Sequence, residues 1–143
     1  MKRGMVIALA LVSAACASGG GGGGSGEGIV DFSAQLAPTS GYQVRGTANA
    51  VASLGRTVVT LQIESAAPGA THPWHVHQGR RGSNGPVVGS GADYPAISVE
   101  GDGKKRVVAT IGTQLDDDTE YFVNVHLSSQ QMGVIVSCGA LVD

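Results

Sequence analysis

From residue 29 to the end of the chain no apolar pattern of helical period occurs. A short β-branched run, a turn and another such run recur instead. That recurrence restricts the chain to folds built from short strands. The run at 56–64 is the cleanest: Val58, Thr60 and Gln62 fall on one face, and Val59, Leu61 and Ile63 on the other, the period of a half-buried strand. Further strands are expected at 29–35, 42–48, 72–78, 96–99, 104–111, 121–127 and 134–142. Pro68-Gly69 marks a turn, residues 79–93 form a glycine-rich loop, and Glu100-Gly101-Asp102-Gly103 reads as the tip of a hairpin. The expectation is an all-β domain over 29–143, an antiparallel Greek-key sandwich or barrel of about seven or eight strands.

The segment ahead of this domain has a different character. Lys2 and Arg3 precede an apolar stretch at 5–12 that is too short to cross a bilayer. Residues 1–16 read as a signal peptide whose ending, Val12-Ser13-Ala14-Ala15-Cys16, is similar to a lipobox, with Cys16 as the lipidated residue. Cleavage after Ala15-Cys16-Ala17, which frees a soluble protein, is the alternative. Residues 17–28 are rich in Gly and Ser, the composition of a flexible tether. The expected location is therefore the bacterial cell envelope, with the domain exported and held to a membrane through an N-terminal lipid.

Charge narrows the partners. Without Lys2 and Arg3 the chain retains 7 basic against 11 acidic residues, a formal charge of −4, and has no basic stripe for nucleic acid. Arg80-Arg81 and Lys104-Lys105-Arg106 read as solvated loop charge. Asp116-Asp117-Asp118 lacks the alternating oxygen ligands of a calcium loop and reads as an acidic turn. No G-x-S-x-G element is present, and neither cysteine has a histidine at a nucleophile-like spacing. With Cys16 lipidated or removed, Cys138 is left alone in the apolar run 134–142, and a free, mostly buried thiol is expected there.

All four histidines fall in two of the expected strands, His72-Pro-Trp-His75-Val-His77 and Tyr121-Phe-Val-Asn-Val-His126. On a strand His75 and His77 share a face, about 6.5–7 Å apart, while Trp74 and Val76 take the other. Two imidazoles at that spacing can share a metal ion, and His126 can supply a third nitrogen. Three imidazoles with no thiolate or carboxylate nearby favour copper or zinc over calcium or magnesium. The apolar parity of Trp74, Val76, Val123 and Val125 puts such a site on the outside of the sandwich, with His72 on the opposite parity holding a ring or backbone group by hydrogen bond.

At these residues the chain resembles the copper/zinc superoxide dismutase superfamily. The stretch Pro68-Gly-Ala-Thr-His72-Pro-Trp-His75-Val-His77 is similar to that family's H-G-F-H-V-H motif, Glu100–Gly103 to its Asp-Gly hairpin, Val123-Asn-Val-His126 to its later V-V-H, and Ser137-Cys138-Gly139 to its A-C-G. The resemblance implies a superoxide dismutase-like, immunoglobulin-like sandwich with His75, His77 and His126 as ligands to one copper ion and His72 behind them. It departs from the family in carrying no histidine between His77 and His126, so the imidazole that bridges copper to zinc is missing along with the other zinc ligands. The charged guidance loop and a disulfide partner for Cys138 are missing too. The histidine segments and Asn84-Gly-Pro-Val-Val88 are also similar to chordin-type CHRD domains. Three functions follow as expectations: a copper-binding protein, a copper-only superoxide dismutase of low activity, and a CHRD-type interaction module without metal.

Overall fold

The computed structural model describes residues 28–39 and 41–143. The signal peptide, Cys16 and nearly all of the tether lie outside the described residues. Nine strands form among the described residues: β1 (Val30–Pro38), β2 (Arg45–Ser53), β3 (Arg56–Glu64), β4 (Thr71–His72), β5 (Trp74–Gln78), β6 (Ile97–Ser98), β7 (Lys105–Ile111), β8 (Tyr121–Ser128) and β9 (Gln131–Leu141). Seven of them make one curled antiparallel sheet in the order β5-β8-β9-β1-β2-β3-β7, and β4 pairs with β6 alone. The all-β class holds, and the only helical element among the described residues is a three-residue 3-10 turn at Gly91–Asp93.

β1 joins the two halves of the sheet. Val30 to Leu36 pair with β2, whereas Ala37 and Pro38 pair with β9. The chain crosses between the halves three times, from β3 towards β5, from β5 back to β7 and from β7 to β8, as a Greek-key arrangement requires and a simple meander does not. The inner faces of both halves close on one core that includes Leu61, Ile63, Trp74, Val76, Val123 and Ile111, each fully buried. β3 alternates as the sequence reads: Val59, Leu61 and Ile63 are inward and Val58 is exposed.

β1 runs on to Pro38 and β9 begins at Gln131, and two further strands and one turn depart more sharply from expectation. β2 lies several residues later than 42–48, because Ala48, Ala50 and Ala52 face the core and pack closely there despite alanine's weak strand preference. Leu54 and Gly55, both at left-handed φ (51° and 78°), turn β2 directly into β3. The expected strand at 72–78 is split at Pro73, which lacks the N–H a continuous ladder needs. The turn at Glu100–Gly103 forms but does not make a hairpin: β6 pairs with β4, and β7 pairs with β3.

Candidate metal centre

β5 carries two of the candidate ligands. Trp74 and Val76 are buried in the core, so His75 and His77 stand on the outer face of the sheet, half-buried. β5 lies on β8 with His75 opposite Asn124 and His77 opposite Phe122. His126 comes two residues after Asn124, where the pairing of β8 with β9 slips: Val125 faces Ser137, but His126 already faces Ile135. The surplus residues of this bulge lie on β9, while β8 stays in regular register with β5, so His126 keeps the outward parity of Asn124 and shares the face of His75 and His77. The available ring nitrogens of His75, His77 and His126 lie within 4.8 Å of one another. The site is on the outside of the sheet, as the parity of the apolar residues requires.

Hydrogen bonds orient the rings. His77 Nδ1–H donates to the carbonyl of Gly85 (2.8 Å), and His126 Nδ1–H donates to that of Met132 (2.6 Å). Both rings therefore present a bare Nε2 lone pair. The Nε2 of His77 is buried with no hydrogen-bond partner, and that of His126 lies 3.2 Å from His75 Nδ1. His77 also stacks on Phe122 with ring centroids 5.0 Å apart, and His75 meets the edge of Tyr94 at 5.1 Å. Tyr94 is itself held by a hydrogen bond from its hydroxyl to the Val88 carbonyl.

The electrostatics favour the neutral form of His75 and His126. His75 is lowered from 6.5 to about 4, first by burial and then by the neighbouring His126 and His77 rings. His126 is lowered as well, mainly by burial, with its bond to the Met132 carbonyl opposing the shift. Neutral imidazoles are the metal-binding form, so the lowered affinity of His75 and His126 for protons favours an ion there.

His72 is not part of the cluster. Its ring is buried, and Nδ1–H lies 3.0 Å from the His126 carbonyl and 3.1 Å from that of Leu127, bridging the bulge. It therefore holds a backbone group, one of the two roles its parity allowed. Asp116–Asp118 sit in the turn before β8, where the Asp116 carboxylate accepts a hydrogen bond from Tyr121. Cys138 has no disulfide partner among the described residues. It is half-buried on the outer face, not mostly buried as expected, because Ser137, Gly139 and Leu141 occupy the core-facing parity of β9.

Gly85, Tyr94, Phe122 and Met132 were not legible as site residues in the sequence. Gly85 stands in Ser83-Asn-Gly-Pro86, which signals a turn but not the ring its carbonyl holds. A Cβ there would fall 1.7 Å from the Gln78 carbonyl oxygen, so only glycine brings the loop this close. Comparison with protein-family models and with curated proteins finds no match for the chain. The structure defines an all-β domain with a three-histidine cluster compatible with metal binding.

Proposed function

We propose that the chain is a copper-binding protein of the bacterial cell envelope, exported, lipid-anchored at Cys16 and built on a superoxide dismutase-like sandwich. His75 Nδ1, His77 Nε2 and His126 Nε2 would hold the ion. The observation that carries this reading is the convergence of three imidazole nitrogens within 4.8 Å of one another, among them the buried Nε2 of His77, which has no hydrogen-bond partner among the described residues. Three nitrogen donors without a thiolate or carboxylate among them suit copper, with zinc next. When bound, copper supplies a redox-active Lewis acid at the outer face of β5 and β8.

The cleft beside the histidines supports binding above dismutation. It is lined by Thr39, Ser83, Asn84 and Asn124 among others, with no Lys or Arg to draw in an anion. The decisive experiment is titration of the protein with Cu(II) and Zn(II), followed by electron paramagnetic resonance. One equivalent of Cu(II) with nitrogen hyperfine structure is expected, and the variant with alanine at 75, 77 and 126 should lose it. No binding at micromolar copper, or equal binding by the triple variant, overturns the reading in favour of a module without metal.

A further inference from the structure

The chain has three asparagines, and their settings differ. Asn49 and Asn124 lie within β2 and β8 and precede Ala50 and Val125, whose side chains shield the next backbone nitrogen. Asn84 is exposed, belongs to no strand and precedes Gly85. With no Cβ on the following residue, nothing crowds the approach of that nitrogen to the Asn84 side-chain amide. No backbone carbonyl among the described residues accepts a hydrogen bond from the Gly85 N–H, so the nitrogen is not tied into a ladder. Asn84 also lines the cleft of about 540 Å³ that His77 and His126 share. The residue after it holds His77: the Gly85 carbonyl accepts the 2.8 Å bond from Nδ1.

We propose that Asn84 is a self-modifying site, converting through a cyclic imide to aspartate and isoaspartate, and that the isoaspartate form releases the His77 ring. The Gly85 nitrogen attacks the side-chain amide carbon of Asn84, and the bond from that carbon to the amide nitrogen breaks. Ammonia leaves with the proton given up by Gly85. Water then opens the imide: at the side-chain carbonyl it gives aspartate, and at the main-chain carbonyl isoaspartate. Water is consumed, and no electron is transferred. Both products place a carboxylate in a cleft whose lining carries no Asp, Glu, Lys or Arg. Isoaspartate alone also lengthens the backbone, by a methylene just ahead of Gly85. That residue has little room to shift, since even a Cβ on it would fall 1.7 Å from the Gln78 carbonyl oxygen. The longer chain therefore carries the Gly85 carbonyl away from Nδ1. The effect on a bound ion rests on the three-histidine reading; the modification and the release of the ring do not.

The protein and its Asn84→Gln variant, whose longer side chain closes such a ring far more slowly, are incubated without metal at physiological temperature. Both are then mapped by mass spectrometry with isoaspartyl methyltransferase labelling. Conversion at residue 84 of the unsubstituted protein is expected well ahead of Asn49 and Asn124. No conversion there, or conversion no faster than at those two, overturns the site. In nitrogen-15 imidazole spectra of the metal-free protein, the chromatographically isolated isoaspartate form should lose the His77 Nδ1 bond. Asn84→Asp, with the same charge on a normal backbone, should keep it. A bond retained in the isoaspartate form, or lost equally in Asn84→Asp, overturns the release. Titration with Cu(II) should then show binding about tenfold weaker in the isoaspartate form than in fresh protein. Equal affinity overturns the coupling to the ion. Absence of copper binding by the fresh protein overturns the three-histidine reading and leaves the modification and the release standing.

Discussion

The ring of His72 and the backbone of His126 are joined: one buried imidazole N–H spans the carbonyls of His126 and Leu127 at 3.0 and 3.1 Å. The bond pins the end of β8 beside the bulge of β9 from the core side, while the ring of His126 reaches the opposite face. The third nitrogen is thus aimed by a histidine that need not touch the ion.

Replacing His72 with Ala is expected to weaken metal binding by about 10–100-fold, the usual effect of losing an orienting partner. The buried His126 carbonyl and the part-buried Leu127 carbonyl also lose their donor, at a cost of roughly 1–3 kcal/mol. Calorimetric titration and denaturant melts read the two effects separately, and unchanged affinity in a folded His72→Ala protein would show that the bulge holds itself.

The three clustered histidines should separate in their effect on folding. His75→Ala and His77→Ala remove half-buried rings and are expected to change the stability of the metal-free protein little. His126→Ala empties a buried position and strands the Met132 carbonyl, and should cost about 1–3 kcal/mol. Each should abolish tight metal binding. Equal melting temperatures for all three variants would contradict the burial of His126.

Acid should weaken the metal-free fold over a defined window. His75 binds its proton near 6.5 when unfolded and near 4 when folded, so between these values the unfolded chain holds more protons. Stability therefore rises with pH across the window and falls as the pH drops from about 6.5 to about 4. Because His75 is half exposed to solvent, the slope is shallow, and His75→Gln should flatten it. Thermal melts at intervals of half a pH unit check this; an identical slope in the variant refutes the assignment to His75.

Gly85→Ala tests the loop that orients His77. The added methyl collides with the Gln78 carbonyl, so the loop must move and the 2.8 Å bond from His77 Nδ1 should break. Metal affinity is expected to fall by about tenfold or more while the core stays intact. A nitrogen-15 spectrum of the imidazoles that shows His77 still bonded at Nδ1 would refute it.

Much of this was legible in the chain itself, where period and parity govern. The alternation in 56–64 located β3 to the residue, and the apolar parity of Trp74 and Val76 correctly turned His75 and His77 outward. What stayed hidden depends on contacts distant in sequence. Alanines at 48, 50 and 52 form a strand because of what packs on them, and β6 finds β4 and not β7. No local pattern announces that the carbonyls of Gly85 and Met132 will hold two imidazoles, or that β9 will slip its register beside His126. Parity alone could have placed Cys138 outside the core, but its apolar neighbours suggested burial.

The strand bearing His75 and His77 is five residues long and forms one end of the main sheet, with β8 on one flank and a single bridge from His77 to Val87 on the other. An edge element opens cheaply only where few buried apolar contacts hold it, and here Trp74 and Val76 of the same strand are fully buried. Two of the three nitrogens cannot swing away together without drawing both side chains out of the core. The strand that presents the rings is thus nailed from behind, and the freedom of the centre to open would be tied to the stability of the whole domain.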